Sequence, residues 1–221
     1  MRTPSSASVP ASLLLVLLCT MMVTQIGCFG LYANLMHAVG ANQVPPKYDG
    51  LEDTNLAIVT VTDSSHYSDD VSARLLSRNV GEVLTKKLDD VRLVREDKIQ
   101  EWRDNNGWDS IDFREIGEGV GAEKVLGIEL TNLRLRDGAT MYRGRADVQL
   151  SVIDVATGEF LYRAELDEFT FPITAGQHTS ETNEAKFRKL YLGMLANQIA
   201  RHFHPYDPSE LFALDGMMAS Q

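Results

Sequence analysis

The amino-acid sequence predicts a mixed α/β domain of the α+β class. We expect a mixed sheet of about five strands, with two N-terminal βα units, then a three-stranded antiparallel meander and a C-terminal helix. Residues 55–62 are a nearly unbroken β-branched and apolar run, typical of a central strand covered on both faces. Residues 69–88 and 183–203 repeat apolar side chains at helical spacing. Residues 124–171 alternate apolar and polar side chains between glycine-containing turns.

In the first half of the domain, the strand at 55–62 leads into the helix at 69–88. Ser68 is the predicted N-cap, because a serine hydroxyl can accept a hydrogen bond from the first helical N–H groups. A short second strand is predicted at 91–94, joined to the first by a right-handed crossover through the helix. A second helix is predicted at 96–104.

Asparagine and glycine mark the boundaries of the next elements. The sequence Asn105-Asn106-Gly107 predicts a turn, and Asp109 or Ser110 is predicted to cap a third helix that ends near Glu118. One glycine of Gly119-Val120-Gly121 is expected to adopt the left-handed conformation that commonly ends a helix.

The meander strands are predicted at 124–135, 142–155 and 159–171, with a tight hairpin at Ala156-Thr157-Gly158. The apolar residues change parity near Thr131-Asn132 in the first strand. In the third strand they change parity between Leu166 and Phe169. A change of parity indicates an extra residue in one strand, so a β-bulge is predicted at both places.

The first 28 residues have the layout of a secretory signal peptide that ends in a cysteine. Arg2 is the only charged residue before Lys47, and an apolar segment at 11–23 precedes Gly27-Cys28. This arrangement resembles a bacterial lipobox, in which the chain is cut before the cysteine and the cysteine is acylated. The sequence therefore predicts cleavage between Gly27 and Cys28 and attachment of lipid, such as palmitate, at Cys28.

Lipidation at this position predicts four parts of the chain: a signal peptide at 1–27, a flexible tether at 28–54, the α/β domain at 55–204 and a loose tail at 205–221. The Pro45-Pro46 pair and scattered glycines favour an extended tether. An uncleaved signal anchor is the alternative, because residues 13–36 contain no charge and about 20 apolar residues span a bilayer.

Composition limits the classes of partner. Without residues 1–27, 20 basic and 31 acidic residues remain, which argues against binding to nucleic acid or to anionic lipid through charge. Cys19 would leave with the signal peptide, so Cys28 would be the only cysteine of the mature chain and an intrachain disulfide would be impossible.

Two motifs resemble ligand sites only superficially. His202 and His204, with Asp207, could offer metal ligands, but surface histidines near a helix C-terminus are the favoured interpretation. Gly117-x-Gly119-x-Gly121 is rejected as a phosphate loop, because these glycines close a helix, whereas a dinucleotide fingerprint opens one.

Two further clusters also favour a structural role. Asp63-Ser64-Ser65-His66 follows the first strand, where open α/β sheets often carry sites, yet adjacency in sequence is not the geometry of a catalytic triad. The acidic residues Glu165, Asp167 and Glu168, with Asp154, are interpreted as a solvated strand face rather than a cation site. We therefore predict no catalytic residues, no metal and no cofactor.

Trp102 and Trp108 flank the predicted turn at 105–107. Tryptophan is enriched at protein interfaces, so this region is the best candidate for a partner contact. Core packing under the loop is nevertheless the favoured interpretation of both residues.

The order of elements resembles a superfamily of bacterial envelope lipoproteins. Residues 56–62, 91–95 and 99–102 are similar to its opening of strand, helix, short strand and helix. Residues 119–128 are similar to its step from a helix end through Gly-Ala-Asp to a strand and glycine, and residues 148–159 to its "Leu-x-Asp-x-x-Thr-Gly-Glu" hairpin. Members include the curli secretion lipoprotein CsgG, the penicillin-binding-protein activator LpoB and the N-terminal domain of TolB. The resemblance implies an envelope lipoprotein that works by contacting other proteins, and it transfers no functional residue.

We therefore predict a non-enzymatic lipoprotein with its domain in the periplasm. It would be held in the membrane by lipid on Cys28 and would bind an envelope protein or assemble with itself. Phe29 rather than aspartate after the cysteine favours the outer membrane. The alternatives are a periplasmic enzyme or small-ligand binder on the same fold, a structural anchor subunit, and an uncleaved signal-anchor protein.

Overall fold

The computed structural model describes residues 43–63, 70–108, 112–174 and 176–208. Within these ranges the strands are β1 (Asn55–Thr62), β2 (Arg92–Leu93), β3 (Lys124–Asp137), β4 (Met141–Asp154), β5 (Phe160–Phe171) and β6 (Gln177–His178). The helices are α1 (Val71–Lys87), α2 (Glu96–Asn106), α3 (Phe113–Val120) and α4 (Glu184–Ala200). The sheet order is β2-β1-β3-β4-β5, with β6 paired to β4. The predicted mixed α/β class, the meander and the C-terminal helix are confirmed.

Strand β1 is the central parallel strand, as its apolar run predicts. It pairs in parallel with β2 on one side and with β3 on the other. Leu56 and Ile58 belong to one apolar core, whereas Ala57, Val59 and Val61 belong to the core on the opposite face. The predicted second strand is shorter than expected, because only Arg92 and Leu93 pair with β1.

Helix α1 is capped by Asp70, whose Oδ1 accepts hydrogen bonds from the backbone N–H groups of Ser72 at 2.7 Å and Ala73 at 3.0 Å. The predicted cap, Ser68, lies outside the described residues. Lys86 and Lys87 lie in the last turn, where their positive charge interacts favourably with the negative end of the helix dipole.

Helix α2 is longer than the sequence indicated. Asn105 and Asn106 are helical rather than part of a turn, and Gly107, with φ 100°, ends the helix. Asp112 caps α3 through its Oδ1, whereas the predicted caps Asp109 and Ser110 are not described. Gly121 takes the left-handed conformation (φ 71°), which confirms the predicted glycine stop.

The meander contains both predicted bulges. The register of β3 on β4 shifts between Thr131 and Arg134, and that of β5 on β4 shifts opposite Ala146 and Val148. One residue in each bulge has a positive φ: Asn132 (55°) in β3 and Glu168 (46°) in β5. Two further shifts were not predicted: one in β3 on β4 between Arg134 and Arg136, and one opposite Val152 and Ile153, which places a bulge at Leu161.

One carboxylate on β4 joins the two predicted bulges. Asp147 accepts a hydrogen bond from Asn132 Nδ2 at 2.7 Å through Oδ2, and from the backbone N–H of Glu168 at 2.8 Å through Oδ1. These donors stabilise the charged form, so they lower the pKa of Asp147. Asp147 of β4 therefore fixes the positions of these two bulges, one in each of the strands beside it.

The two faces of the sheet carry two cores. Helices α1 and α4 pack together over the larger core, which includes the predicted α4 residues Phe187, Tyr191 and Leu195. Helices α2 and α3 cover the smaller core on the other face. Tyr191 is fully buried, and its hydroxyl donates to the backbone oxygen of Phe169 at 2.8 Å.

The folded body begins before Asn55. Val44 pairs with Tyr206 in an antiparallel bridge, and Leu51 is completely buried. The backbone N–H groups of Lys47 and Tyr48 donate to the carbonyl oxygen of His202 at 2.8 and 3.0 Å. Residues 44–54, predicted as tether, and 205–208, predicted as tail, therefore contact the domain. In the described ranges, no helix is both long enough and apolar enough to cross a membrane.

Candidate interaction site

Strand β5 forms an open edge of the sheet. Among the described residues, this 12-residue strand pairs only with β4. Phe160 and Leu161 lie side by side at the unpredicted bulge and are 48% and 36% exposed. The guanidinium of Arg163 lies 3.6 Å from the centre of the Phe160 ring, a cation–π contact that leaves much of the ring exposed to solvent.

An apolar strip lies on the face of β5 opposite the Phe160 ring. Tyr162, Ala164, Leu166 and Phe169 pack against the larger core but remain only half-buried. If another element covered this strip, apolar surface would be removed from water, which is energetically favourable. We define the β5 edge as residues 160–169.

A groove of about 600 Å³ lies beside the β5 edge on the sheet face near α3. Phe113 and Phe160 supply apolar walls, while Glu129, Arg163 and Glu165 supply charge.

The opposite edge of the sheet, at β2, carries a second groove of about 320 Å³ between α1 and the start of α2. Its floor is apolar and includes Ile58, Leu93 and Ile99. Gly81 of α1 allows close approach here, since a Cβ at this position would lie 2.8 Å from Leu93 Cδ1. Arg78, Glu82 and Arg95 lie at the charged rim. We call this the β2 groove.

The two predicted contact tryptophans have different environments. Trp102 packs against the smaller core, where its indole lies against Gly119 of α3. Trp108 is half-buried, its Nε1 donates to Asp104 Oδ1 at 2.8 Å, and the Arg103 guanidinium lies 4.0 Å from its ring centre. Trp102 thus has a packing role in the fold, and partner contact through either residue stays a prediction.

A small cleft lies between β1, α1 and α2, and Thr60, Ser77 and Arg103 are among its lining residues. The Ser77 hydroxyl donates to Thr60 Oγ1 at 2.7 Å, and Arg103 is buried. The cleft holds about 40 Å³, which is room for a few water molecules rather than for a substrate.

The expectation that His202 and His204 lie on the surface is wrong. Both are buried, at 3% and 5% exposure, because residues 44–48 and the β5 aromatic Tyr162 cover the end of α4. Tyr162 Oη and His202 Nδ1 are hydrogen-bonded at 2.7 Å. Burial, with a smaller effect of Lys47, lowers the pKa of His202 to about 4. His204 Nδ1 instead lies 2.7 Å from the Pro205 carbonyl oxygen.

The remaining sequence candidates occupy structural positions. Gly117 lies against Val125 and Val155 in the α3–sheet contact. Of the segment 63–66 only Asp63 is described, and its Oδ2 accepts from the Asn132 N–H at 3.2 Å. No cluster of three His, Cys, Asp or Glu side chains suited to a metal occurs within the described part of the chain.

The acidic cluster is divided between two structural roles. Asp154 Oδ1 accepts from the backbone N–H and the hydroxyl of Thr157 and closes the predicted hairpin. Glu168 lies 3.7 Å from the Arg145 guanidinium. The predicted lipidation and cleavage positions, Cys28 and Gly27, lie outside the described residues.

Comparisons with known proteins give structural resemblance alone. No protein-family model matches the sequence, and no curated protein matches it. The chain resembles the lipoprotein GNA1162 from Neisseria meningitidis with 12% identity and a TM-score of 0.42, over 66% of this chain and 97% of that one. It resembles a PelC dodecamer subunit from Paraburkholderia phytofirmans with 13% identity and a TM-score of 0.43, over 73% and 96% of the two chains.

A third resemblance is to the LpoB C-terminal domain from Salmonella enterica, with 18% identity and a TM-score of 0.36 over 54% of this chain and 86% of that one. Lipoproteins are thus among the solved structures that the chain resembles. These identities and TM-scores do not establish a family or a function, and membership of the CsgG and TolB superfamily stays a prediction.

Proposed function

We propose that this chain is a membrane-tethered lipoprotein of the bacterial envelope whose α/β domain acts as a protein-interaction or assembly module in the periplasm. Lipid on Cys28 would hold it in a membrane, with the outer membrane favoured. The observation that carries the proposal is the β5 edge, where Phe160 and Leu161 are exposed and the apolar strip on the larger-core face of the strand is only half-buried.

The β5 edge has the physical properties of a docking surface. An edge strand offers backbone N–H and C=O groups for pairing with an added strand, and the side chains beside it give specificity. Leu166 and Phe169 would lose exposed apolar area on contact with a partner. Charged residues along the edge, such as Arg163 and Glu165, limit unspecific association while the edge is free.

A periplasmic enzyme or small-ligand binder is the second candidate. An enzyme site needs a cavity with convergent polar groups. The cleft at Thr60 and Arg103 has polar groups, but its volume of about 40 Å³ suits water. The groove beside the β5 edge is large enough for a ligand, but its walls lie on an open sheet face. We therefore propose a non-enzymatic role without a cofactor.

Photo-crosslinking in the native envelope tests the proposed function. A photoreactive phenylalanine analogue replaces Leu161 in the full chain, and the matched control carries it at Lys189, an exposed residue of α4. We expect discrete crosslinked protein bands from position 161 and few from position 189. Equal labelling from both positions, or none from position 161, would contradict an interaction through the β5 edge.

A further inference from the structure

We propose that residues 44–50, which we call the strap, dock reversibly on the domain and that protonation of His202 beneath them releases the strap. The strap crosses the C-terminal end of α4 beside the start of β5. Its release depends neither on the proposed partner nor on lipid at Cys28. Release lengthens the free chain before the domain and uncovers part of the β5 edge.

Few contacts hold the strap on the domain. Val44 and Tyr206 exchange two backbone hydrogen bonds of 2.9 and 3.1 Å. The N–H groups of Lys47 and Tyr48 donate to one acceptor, the carbonyl oxygen of His202, at 2.8 and 3.0 Å. Half-buried and exposed residues alternate along the strap, and none of its residues, all of which are described, is fully buried. Docking therefore removes little apolar surface from water, and release costs correspondingly little free energy.

Leu51 fixes the end of the strap. Its side chain is completely buried in the larger core, and its carbonyl oxygen accepts a hydrogen bond from the Thr54 hydroxyl at 2.6 Å. Release therefore frees the chain up to Gly50 and breaks the contact of the Lys124 ammonium group, which donates to the Gly50 carbonyl oxygen. The first fixed residue then moves from Val44 to Leu51, which adds about 24 Å of extended chain.

Tyr48 links the strap to the β5 edge. Its ring stacks on Tyr162 of β5 with 5.6 Å between the ring centres, and it makes an edge contact with Phe203 at 6.4 Å. Tyr162 directly follows the exposed Leu161. Release would remove this cover from the Tyr162 ring, so more apolar surface of the β5 edge would become accessible to a partner.

His202 is the titratable residue beneath the strap. It is 3% exposed, its Nδ1 is hydrogen-bonded to Tyr162 Oη at 2.7 Å, and its carbonyl oxygen holds the strap. A proton on this imidazole would create a buried positive charge, which is costly unless an opposite charge lies beside it. When the strap leaves, water reaches the ring and this cost falls.

Three basic side chains surround His202. Lys47 belongs to the strap and is positive, so docking opposes the protonation of His202. Arg201 precedes His202, and its guanidinium lies 4.9 Å from the Tyr206 ring centre. His204 is buried, and its Nδ1 lies 2.7 Å from a backbone carbonyl oxygen. These groups supply no negative charge for a protonated imidazole.

Two acidic side chains act on the strap at Tyr48. Burial raises the pKa of the Tyr48 hydroxyl, with smaller contributions from Asp49 of the strap and Asp154 of β4. Burial also raises the pKa of Tyr162, so both phenols stay neutral at acidic and neutral pH. For His202 burial is the main effect, and it lowers the pKa to about 4.

Acid should therefore weaken the docking of the strap. Between pH 6.5 and 4 the released chain binds a proton on His202 and the docked chain does not. The stability that docking gains from the neutral imidazole is fully present above pH 6.5 and is lost as the pH falls towards 4. If release restores the ordinary pKa, the equilibrium constant for docking is about 30-fold lower at pH 5.0 than at pH 7.5.

Hydrogen exchange of the full-length protein in detergent micelles, at pH 7.5 and 5.0, tests the inference. The N–H groups of Lys47 and Tyr48 report on the strap, and that of Leu150, buried in β4, reports on the sheet. Protection factors correct for the effect of pH on the chemical exchange rate. The parent chain is compared with His202→Asn and with the matched control His178→Asn, which removes an exposed histidine of β6.

We expect the protection of the two strap amides to fall by about 30-fold at pH 5.0 in the parent chain and in His178→Asn, with a much smaller change at Leu150. In His202→Asn the strap amides should be equally protected at both pH values. An equal fall in the parent chain and His202→Asn would overturn the inference. No fall in the parent chain, or a fall of the same size at Leu150, would overturn it as well.

Reciprocal coupling gives a second arm, which decides the matter if His202→Asn itself loosens the strap. Tyr48→Ala removes the stacked ring and should release the strap at pH 7.5. Because release and protonation are linked, the pKa of His202 should then rise from about 4 towards 6.5 in an NMR titration of its imidazole. A His202 pKa that stays near 4, although the Lys47 amide has lost its protection, would contradict the proposed coupling.

Discussion

At the scale of single residues, Gly119 decides how closely α3 approaches α2. A Cβ at this position would overlap the indole of Trp102, so Gly119→Ala forces the ring out of its place in the smaller core. We expect a net loss of about 1–2 kcal/mol, because overpacking outweighs the gain in helix propensity. Thermal unfolding of the full chain measures the change.

Gly193 of α4 is the matched control, since a Cβ there meets no atom within 4 Å. Gly193→Ala should raise the free energy of unfolding by about 0.5–1 kcal/mol, the usual preference for alanine in a helix. Stabilisation by both substitutions would contradict the described packing of Trp102.

His202 makes stability depend on pH. Burial lowers its pKa from 6.5 to about 4, so the unfolded chain binds a proton between these values while the folded chain does not. Stability from this residue is therefore fully present above pH 6.5 and is lost as the pH falls towards 4. His202→Asn keeps a hydrogen-bonding side chain opposite the Tyr162 hydroxyl and removes the titration. Urea unfolding at pH 7 and 4.5 should show a smaller loss in this variant, and an equal loss would contradict the prediction.

The burial of His202 and His204 could not be predicted from the local sequence. Two polar residues beside Pro205 look like the exposed end of a helix. Their burial depends on Tyr162, 40 residues away, and on the backbone of Lys47 and Tyr48, more than 150 residues away. A window along the sequence contains neither contact.

At the scale of secondary-structure elements, Asp147 holds two bulges together. Asp147→Ala removes the acceptor for Asn132 and for the Glu168 N–H, so both bulges should loosen. We expect a lower urea midpoint and faster hydrogen exchange at the Glu168 amide. The control, Asp167→Ala, removes an exposed carboxylate from the same bulge, beside Glu168. A similar effect of both substitutions would show that charge, rather than the two hydrogen bonds, is responsible.

The bulges at Asn132 of β3 and Glu168 of β5 were predictable because parity is a local property of a strand. Caps were harder, since several Ser and Asp residues precede each helix and only one can have the required geometry; Asp70 and Asp112 have it. The exposure of Phe160 and Leu161 was not predictable either. It depends on the strand order, which leaves β5 at an edge, and on a bulge that keeps both side chains outside the core.

At the scale of the whole molecule, docking of residues 44–54 changes the reach of the proposed anchor. A fully extended chain from Cys28 to Asn55 would span about 90 Å. Because Val44 already pairs with Tyr206 of the domain, the segment from Cys28 to Val44 sets the maximum, about 55 Å. The domain would therefore stay closer to the membrane than a tether ending at residue 54 allows.

Attachment of lipid at Cys28 is the central claim, because it determines where the β5 edge can find a partner. Metabolic labelling with radioactive palmitate, in cells that make either the wild-type chain or Cys28→Ser, tests it directly. We predict label in the wild-type chain and loss of that label in Cys28→Ser, with accumulation of the uncleaved precursor. Equal label in both chains, or none in either, would contradict the lipoprotein proposal and leave the uncleaved signal anchor in its place.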